Sequence, residues 1–317
     1  MKRLLTRASA LALLSLAPQT ALAYCRTTTC DPDVSCEVDA EACCIRGRDG
    51  CDTNGIPLAW PTSCVSYAIQ EDGSSVRDIS ATELSGLVDQ AFASWTSVSC
   101  ETGLSISVEN YGEVACRESE FNTKLGNANI WMFRDSGWQS GNAASGSDGF
   151  DSSALAVTVT NFNWKNGQLY DADVELNAEQ VLFTLPGQTT HFDLLSIATH
   201  EAGHFLGLDH SPEIGATMFY AYNPPSIEER SLSEDDMAGL CAVYPTDRDI
   251  PGGGTCDPRR GFETECLYDA EPAGGGCSVS HGPTRAPFEV MWLVGGLGLL
   301  WAAAGRRSRS DRRTAQG

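Results

Sequence analysis

Basic residues are scarce: 21 lysines and arginines stand against 42 aspartates and glutamates in 317 residues, a formal net charge of −21 at pH 7. A phosphate backbone needs a basic face, so that balance excludes a nucleic-acid partner. Internal repeats are absent. The 13 cysteines do not reproduce zinc-ribbon spacing, which excludes an ordinary cytosolic zinc module and leaves disulfides in an oxidising compartment as their use. Histidine is rarer still, with five in the chain, so any clustering of them carries weight. What is present is a globular composition, 42% hydrophobic and 20% charged, enough for one sizeable core with appendages.

The longest apolar runs lie at the ends. Met1–Ala23 has Lys2, Arg3 and Arg7, an apolar stretch from Ala8 to Ala17, and Ala21-Leu22-Ala23 as an A-x-A cleavage site, so residues 1–23 read as a signal peptide. Tyr24 separates Ala23 from Cys25, which argues against lipoprotein processing. Residues 290–305 form a charge-free apolar run of 16, followed by Arg306, Arg307, Arg309, Arg312 and Arg313 in an arginine-rich tail, 306–317. The run is slightly shorter than the usual ~17 to 25 of a spanning helix, but the arginines supply a stop-transfer flank. An exported protein, held at the surface by its C-terminal segment or released, is expected. Residues 24–305 keep 13 basic and 41 acidic side chains, more acidic than the whole.

Composition divides the rest. Residues 24–60 form a cysteine-rich module with little core, whose disulfide connectivity is not readable. Residues 246–289 are rich in Gly and Pro and read as a stalk pinned by a Cys256–Cys266 disulfide. Leaving out Cys277, the cysteines number 12 and can pair completely. Between these lies a mixed α and β segment, 61–245. Ser80-Ala81-Thr82-Glu83 is a capping box opening a helix to about Val98, with Leu84, Leu87, Val88, Ala91, Phe92 and Trp95 on its core face. Strands are predicted over 65–70, 104–108, 129–133, 155–159 and 169–176, and a long loop over 135–153.

The chemistry is concentrated in one stretch. Phe192–Leu206 has helical apolar spacing and carries His200, Glu201 and His204. Histidines at i and i+4 leave a helix on one face, so both imidazoles can reach one zinc ion while Glu201 flanks its open position. Gly207 ends the helix and His210 follows as a third ligand. Three protein ligands leave the fourth tetrahedral position to water, the catalytic pattern. His191 reads as a surface residue, and His281, in the stalk, as without a specific role.

The full stretch H-E-A-G-H-F-L-G-L-D-H resembles the metzincin metallopeptidases, and Ser211 after the third histidine is similar to the matrixin branch. The resemblance covers about residues 61–244. It implies an α+β catalytic domain with a twisted mixed sheet, an active-site helix and a C-terminal helix, to which the small Cys-rich module is appended. It further implies a Met-turn at Met218, a specificity-pocket tyrosine at Tyr222, Ser233 as N-cap of the last helix, and a substrate edge strand around Leu155 and Ala156, onto which an extended peptide adds antiparallel. Tyr220 stands where the astacin and serralysin branches place a tyrosine that acts as a fifth zinc ligand or oxyanion donor, with simple packing beside Phe219 as the competing reading.

The activity implied is endopeptidase chemistry on polypeptide by a monomer. One zinc ion activates a water, and Glu201 takes its proton and passes it to the leaving amine. A cell-wall peptide amidase and a non-catalytic zinc-containing surface protein are the alternatives. Suitable histidines for a second, structural zinc are missing upstream, so that ion is expected to be absent, and the matrixin cysteine-switch motif is missing too. Asp148, Asp151, Asp171 and Asp173 are candidates for calcium, with a solvated acidic face as the commoner explanation. Gly274–Cys277, the apolar run and the terminal arginines resemble a MYXO-CTERM sorting tail, which implies processing at Cys277 and display on a bacterial surface.

Overall fold

The computed structural model describes residues 24–31, 34–140, 149–188, 190–267 and 289–293. The elements are β1 (Cys25–Arg26), β2 (Cys64–Gln70), α1 (Ala81–Thr96), β3 (Ser107–Val114), β4 (Ile130–Phe133), β5 (Ala154–Phe162), β6 (Leu169–Leu176), β7 (Phe183–Thr184), β8 (Phe192–Asp193), α2 (Leu194–Phe205), β9 (Leu208–Asp209), β10 (Ala221–Tyr222), α3 (Glu234–Val243) and β11 (Glu289–Leu293). The body of the sheet runs β3-β2-β4-β6-β5, and β11 and β10 continue it beyond β5. Neighbours from β3 to β6 are parallel, and β5 returns antiparallel beside β6. This is the α+β, mixed-sheet architecture expected. Parallel neighbours need a crossover, and α1 supplies it between β2 and β3.

Local chemistry explains the helices. The Ser80–Glu83 box closes reciprocally, with Glu83 N–H donating to Ser80 Oγ (3.2 Å) and Ser80 N–H donating to Glu83 Oε2 (2.9 Å). Every residue of the expected α1 core face is buried. Phe92 meets Phe205 of α2 edge-on at 5.0 Å, and the Trp95 indole donates to the Thr199 carbonyl at 2.8 Å, so α1 packs directly on the helix that carries the histidines. Burying side chains of this size contributes about 1.5–3 kcal/mol each.

Two expectations are corrected. The strand expected over 104–108 begins at Ser107 and runs to Val114, because the chain leaving α3 captures the earlier part: Leu104 bridges to Pro245, and Ser105 N–H donates to Tyr244 O (2.9 Å). Cys256 and Cys266 do not pair with each other. Cys256 bonds Cys64 and Cys266 bonds Cys116, because residues 246–267 lie against the domain, with Gly253 bridged to Thr62 and Phe262 to Asn127. In the chain-entropy account, closing the 192-residue separation of Cys64 and Cys256 is worth about 5 kcal/mol. Cys100–Cys241 ties α3 to the turn after α1, and Cys25–Cys51, Cys30–Cys44 and Cys36–Cys43 hold the N-terminal module.

That module is not a loose appendage, because β1 pairs antiparallel with β9, two residues that immediately precede His210. Among the described residues no helix is long and apolar enough to cross a membrane. The signal peptide, Cys277, His281 and the sorting-tail motif lie outside the described residues, and of the apolar run only 290–293 is described, within β11.

Candidate metal centre

Helix α2 begins at an N-cap, Asp193, whose carboxylate accepts from Ser196 N–H (2.8 Å) and Ser196 Oγ (2.9 Å) and pairs with the Arg230 guanidinium. It ends at Gly207, whose φ of +88° is the left-handed conformation glycine tolerates, and a Cβ there would lie 2.8 Å from Leu58 O. The reversal carries the chain through β9 to His210.

The three expected ligands converge. One ring nitrogen from each of His200, His204 and His210 lies within 4.8 Å of the other two. His204 Nε2 and His210 Nε2 are 3.3 Å apart, which is the separation of two tetrahedral zinc ligands at about 2.05 Å from the ion. On His200 and His204 the other ring nitrogen is occupied: His200 Nδ1 meets Thr217 O at 2.7 Å and His204 Nδ1 meets Leu208 O at 2.8 Å. A carbonyl only accepts, so each Nδ1 carries the proton and each Nε2 presents its lone pair to the centre. Burial pushes His200 down to about 4, against the opposing Thr217 hydrogen bond. Burial also holds His204 and His210 well below the usual imidazole value, with His200 acting on both and Arg46 on His210. All three are neutral at pH 7, the form a metal needs. Among the described residues the buried His200 Nε2 has no hydrogen-bond partner, an arrangement that costs free energy unless a cation fills it. The residues fit zinc.

Glu201 is fully buried on the same helix. The Thr158 hydroxyl of β5 donates to Glu201 Oε2 at 2.6 Å, and among the described residues Oε1 has no hydrogen-bond partner. Burial raises this carboxyl to about 8, against that hydrogen bond, and a dication on the imidazoles would act in the opposite direction.

Met218 is buried beneath the helix. A Cβ added at Gly203 would come within 2.2 Å of Met218 Sδ and 2.8 Å of Trp95 Cζ2, so a side chain at this position would displace the turn that passes under the helix. Asp236, in the first turn of α3, holds that turn in place by accepting from Thr217 N–H (2.7 Å) and Met218 N–H (3.0 Å). Tyr222 is fully buried, and its hydroxyl accepts from Asp193 N–H (3.1 Å) and donates to Ser226 O. Tyr220 is 49% exposed, its ring 4.5 Å from that of Phe219. Leu155 and Ala156 lie on β5, next to α2. His191 is exposed beside Thr190.

Thr158, Gly203 and Asp236 were not singled out from sequence. Of these only Gly203 has a local signal, as the residue inside the H-E-x-G-H helix that faces the turn. The acidic residues resolve differently from the expected solvated face. Asp148 lies outside the described residues, and Asp151 is exposed and accepts from Ser153. Asp171 and Asp173 are fully buried on β6. Asp173 accepts from Ile130 N–H at 2.7 Å, while burial and Asp171 hold its carboxyl well above the usual carboxylate range. The other groups of described residues with ligand-like spacing each contain a disulfide pair, so their sulfurs are not free for a metal.

Comparison with known proteins falls on the same region. The matrixin family model of peptidases matches residues 59–245. Human neutrophil collagenase is 33% identical over 105 residues, 31% of this chain and 21% of that protein. Soybean (Glycine max) metalloendoproteinase 1 is 45% identical over 56 residues, 18% of each chain, and rat (Rattus norvegicus) matrilysin 40% over 58 residues, 18% of this chain and 22% of that protein. The chain thus spans about a fifth of the length of these relatives.

Proposed function

The chain belongs to the matrixin family of peptidases, and from that membership we propose that it is an exported, zinc-dependent endopeptidase acting on extended polypeptide. The observation that carries this reading is the convergence of three imidazoles, with the Nδ1 atoms of His200 and His204 already engaged by carbonyls, beside the buried carboxyl of Glu201. His200, His204 and His210 would hold zinc, which when bound supplies Lewis acidity toward a water and the scissile carbonyl. Glu201 takes the proton from the attacking water and delivers it to the leaving amine, and the Thr158 hydroxyl fixes the carboxylate's orientation during both transfers. Met218 forms the apolar floor under the imidazoles. The edge of β5 at Leu155 and Ala156, on which β11 lies, has main-chain groups to which a peptide strand would add, which favours unfolded or flexible substrates.

Export rests on residues 1–23, and six disulfides among the described residues fit an oxidising compartment. Anchoring through 290–305, with processing at Cys277, is the proposed route to the cell surface. The deciding experiment compares zinc content and hydrolysis of an unbiased peptide pool. Glu201→Ala should retain near-stoichiometric zinc and lose hydrolysis by orders of magnitude, and His204→Ala should lose both. Comparable turnover by the parent and Glu201→Ala sinks the mechanism. Hydrolysis of purified wall fragments but not of peptides would make the enzyme an amidase instead.

A further inference from the structure

β11 lies where a substrate would. It pairs antiparallel with β5, Glu289 opposite Thr158, Val290 opposite Val157 and Trp292 opposite Ala154, with a shift of register between Val290 and Trp292. Its other edge runs parallel to β10, Trp292 beside Ala221 and Leu293 beside Tyr222. The shift places Met291 opposite both Leu155 and Ala156 in register, the two residues on which an incoming peptide is expected to add. Both walls belong to the metal centre. β5 carries Thr158, the partner of Glu201, and β10 follows the turn of Met218.

We infer that residues 289–293 are an intramolecular occupant of the substrate cleft and restrain the enzyme while they remain there, an inference that rests on the endopeptidase reading of the site. The segment has the polarity expected for substrate and engages the edge of β5, so it and a polypeptide compete for one set of main-chain donors and acceptors. Covalent connection supplies the segment at an effective concentration on the order of millimolar, so a free-peptide affinity of about 0.1 mM is enough to suppress substrate binding roughly tenfold. The same residues open the 16-residue apolar run. A stretch inserted in a bilayer cannot also lie on β5, so anchoring the tail opens the cleft. This gives a chain without the cysteine-switch motif a way to stay quiet until it reaches its membrane.

The test uses the full chain, assayed at nanomolar concentration without detergent, and its Val290→Pro/Trp292→Pro variant. The two prolines remove N–H donors from the strand and leave the metal centre untouched. The kcat/KM for a fluorogenic peptide should rise about tenfold in the proline variant, through KM rather than kcat. A second measurement separates this from the peptidase reading: a labelled synthetic peptide of residues 286–296 is titrated into zinc-loaded full chains carrying Glu201→Ala, with and without the prolines. Binding about tenfold tighter with the prolines supports occupancy even if no peptide is ever hydrolysed. Equal kcat/KM and equal peptide affinity in the two forms would overturn it.

Discussion

Asp236→Asn tests whether the metal centre is held by groups that never touch the metal. The Asp236 side chain is 1% exposed. Its Oδ2 accepts from Thr217 N–H (2.7 Å), Ser233 N–H (2.8 Å) and Ser233 Oγ (2.7 Å), and its Oδ1 accepts from Met218 N–H (3.0 Å). Thr217 in turn lends its carbonyl to His200 Nδ1. An amide has one accepting oxygen, and its nitrogen only donates. With the amide oxygen at the Oδ2 position, the NH2 group faces Met218 N–H, leaving a buried donor unpaired at about 1–3 kcal/mol, and the remaining bonds lose their charge assistance. A total near 3 kcal/mol should lower Tm by roughly 6–12 °C. Zinc affinity should fall about 10–100-fold, the usual consequence of losing a residue that orients a ligand. The assay is zinc competition with a chromophoric chelator alongside thermal unfolding of the zinc-free and zinc-loaded forms. Ser233→Ala is the control, because it removes the cap of α3 at about 1 kcal/mol and leaves both bonds to the turn intact. If Asp236→Asn lowers Tm but binds zinc as tightly as Ser233→Ala, the path from α3 through Thr217 to His200 carries no energy and the reasoning fails.

Thr158→Val removes the hydroxyl that donates to Glu201 Oε2, so kcat should fall about tenfold with zinc content and KM little changed; an unchanged kcat would mean the metal alone orients Glu201. Gly203→Ala forces a methyl against Met218 Sδ and Trp95, and thermal unfolding should show a loss of at least about 1–3 kcal/mol, whereas a parental Tm would show that the turn can retreat. Tyr220→Phe should keep kcat within about twofold, since that ring is half exposed and packs on Phe219; a ~10²-fold fall with intact zinc would instead make its phenol an oxyanion donor. Incubation with a chelator should lower Tm and added zinc should restore it, and a Tm indifferent to both would argue against a site formed in the native state.

The cluster of candidate ligands could be read from sequence because it is local. His200, Glu201 and His204 occupy successive turns of one helix, and His210 follows a glycine whose backbone reverses the chain, so helical period and one turn residue suffice. The α1 core face and both serine caps were legible for the same reason. What escaped depends on distant partners. Thr158 and Glu201 are 43 residues apart and Asp236 and Thr217 are 19 apart, and a threonine in an apolar strand or an aspartate in a first helical turn has sufficient local explanations that conceal the other role. Cysteines show the limit most sharply. Cys256 and Cys266 are near neighbours in the chain and suggested each other, yet the fold delivers them to Cys64 and Cys116, because residues 246–267 run along the sheet instead of standing off it.

His210 poses a different physical problem from the other two candidate ligands, since no helix positions it. A loop ligand has to be ordered before it can bind, at about 1–2 kcal/mol of backbone entropy per residue fixed. This loop is restrained from both sides. On the N-terminal side β9 is paired with β1, whose Cys25 is bonded to Cys51, and Thr27 N–H donates to Gly207 O (3.1 Å) while Thr27 Oγ donates to Leu208 O (3.0 Å). On the C-terminal side Ser211 N–H donates to Met218 O (2.7 Å), and Ser211 Oγ donates to Asp235 Oδ2 (2.6 Å). Asp235 and Asp236 are adjacent in the first turn of α3, so one helix end secures the residue after the third ligand and the turn beneath the first two. The Cys-rich module therefore helps set the position of His210. It has too little apolar surface to fold on a core of its own, and its three internal disulfides make it stiff enough for β1 to act as a fixed edge against which β9 and His210 are set.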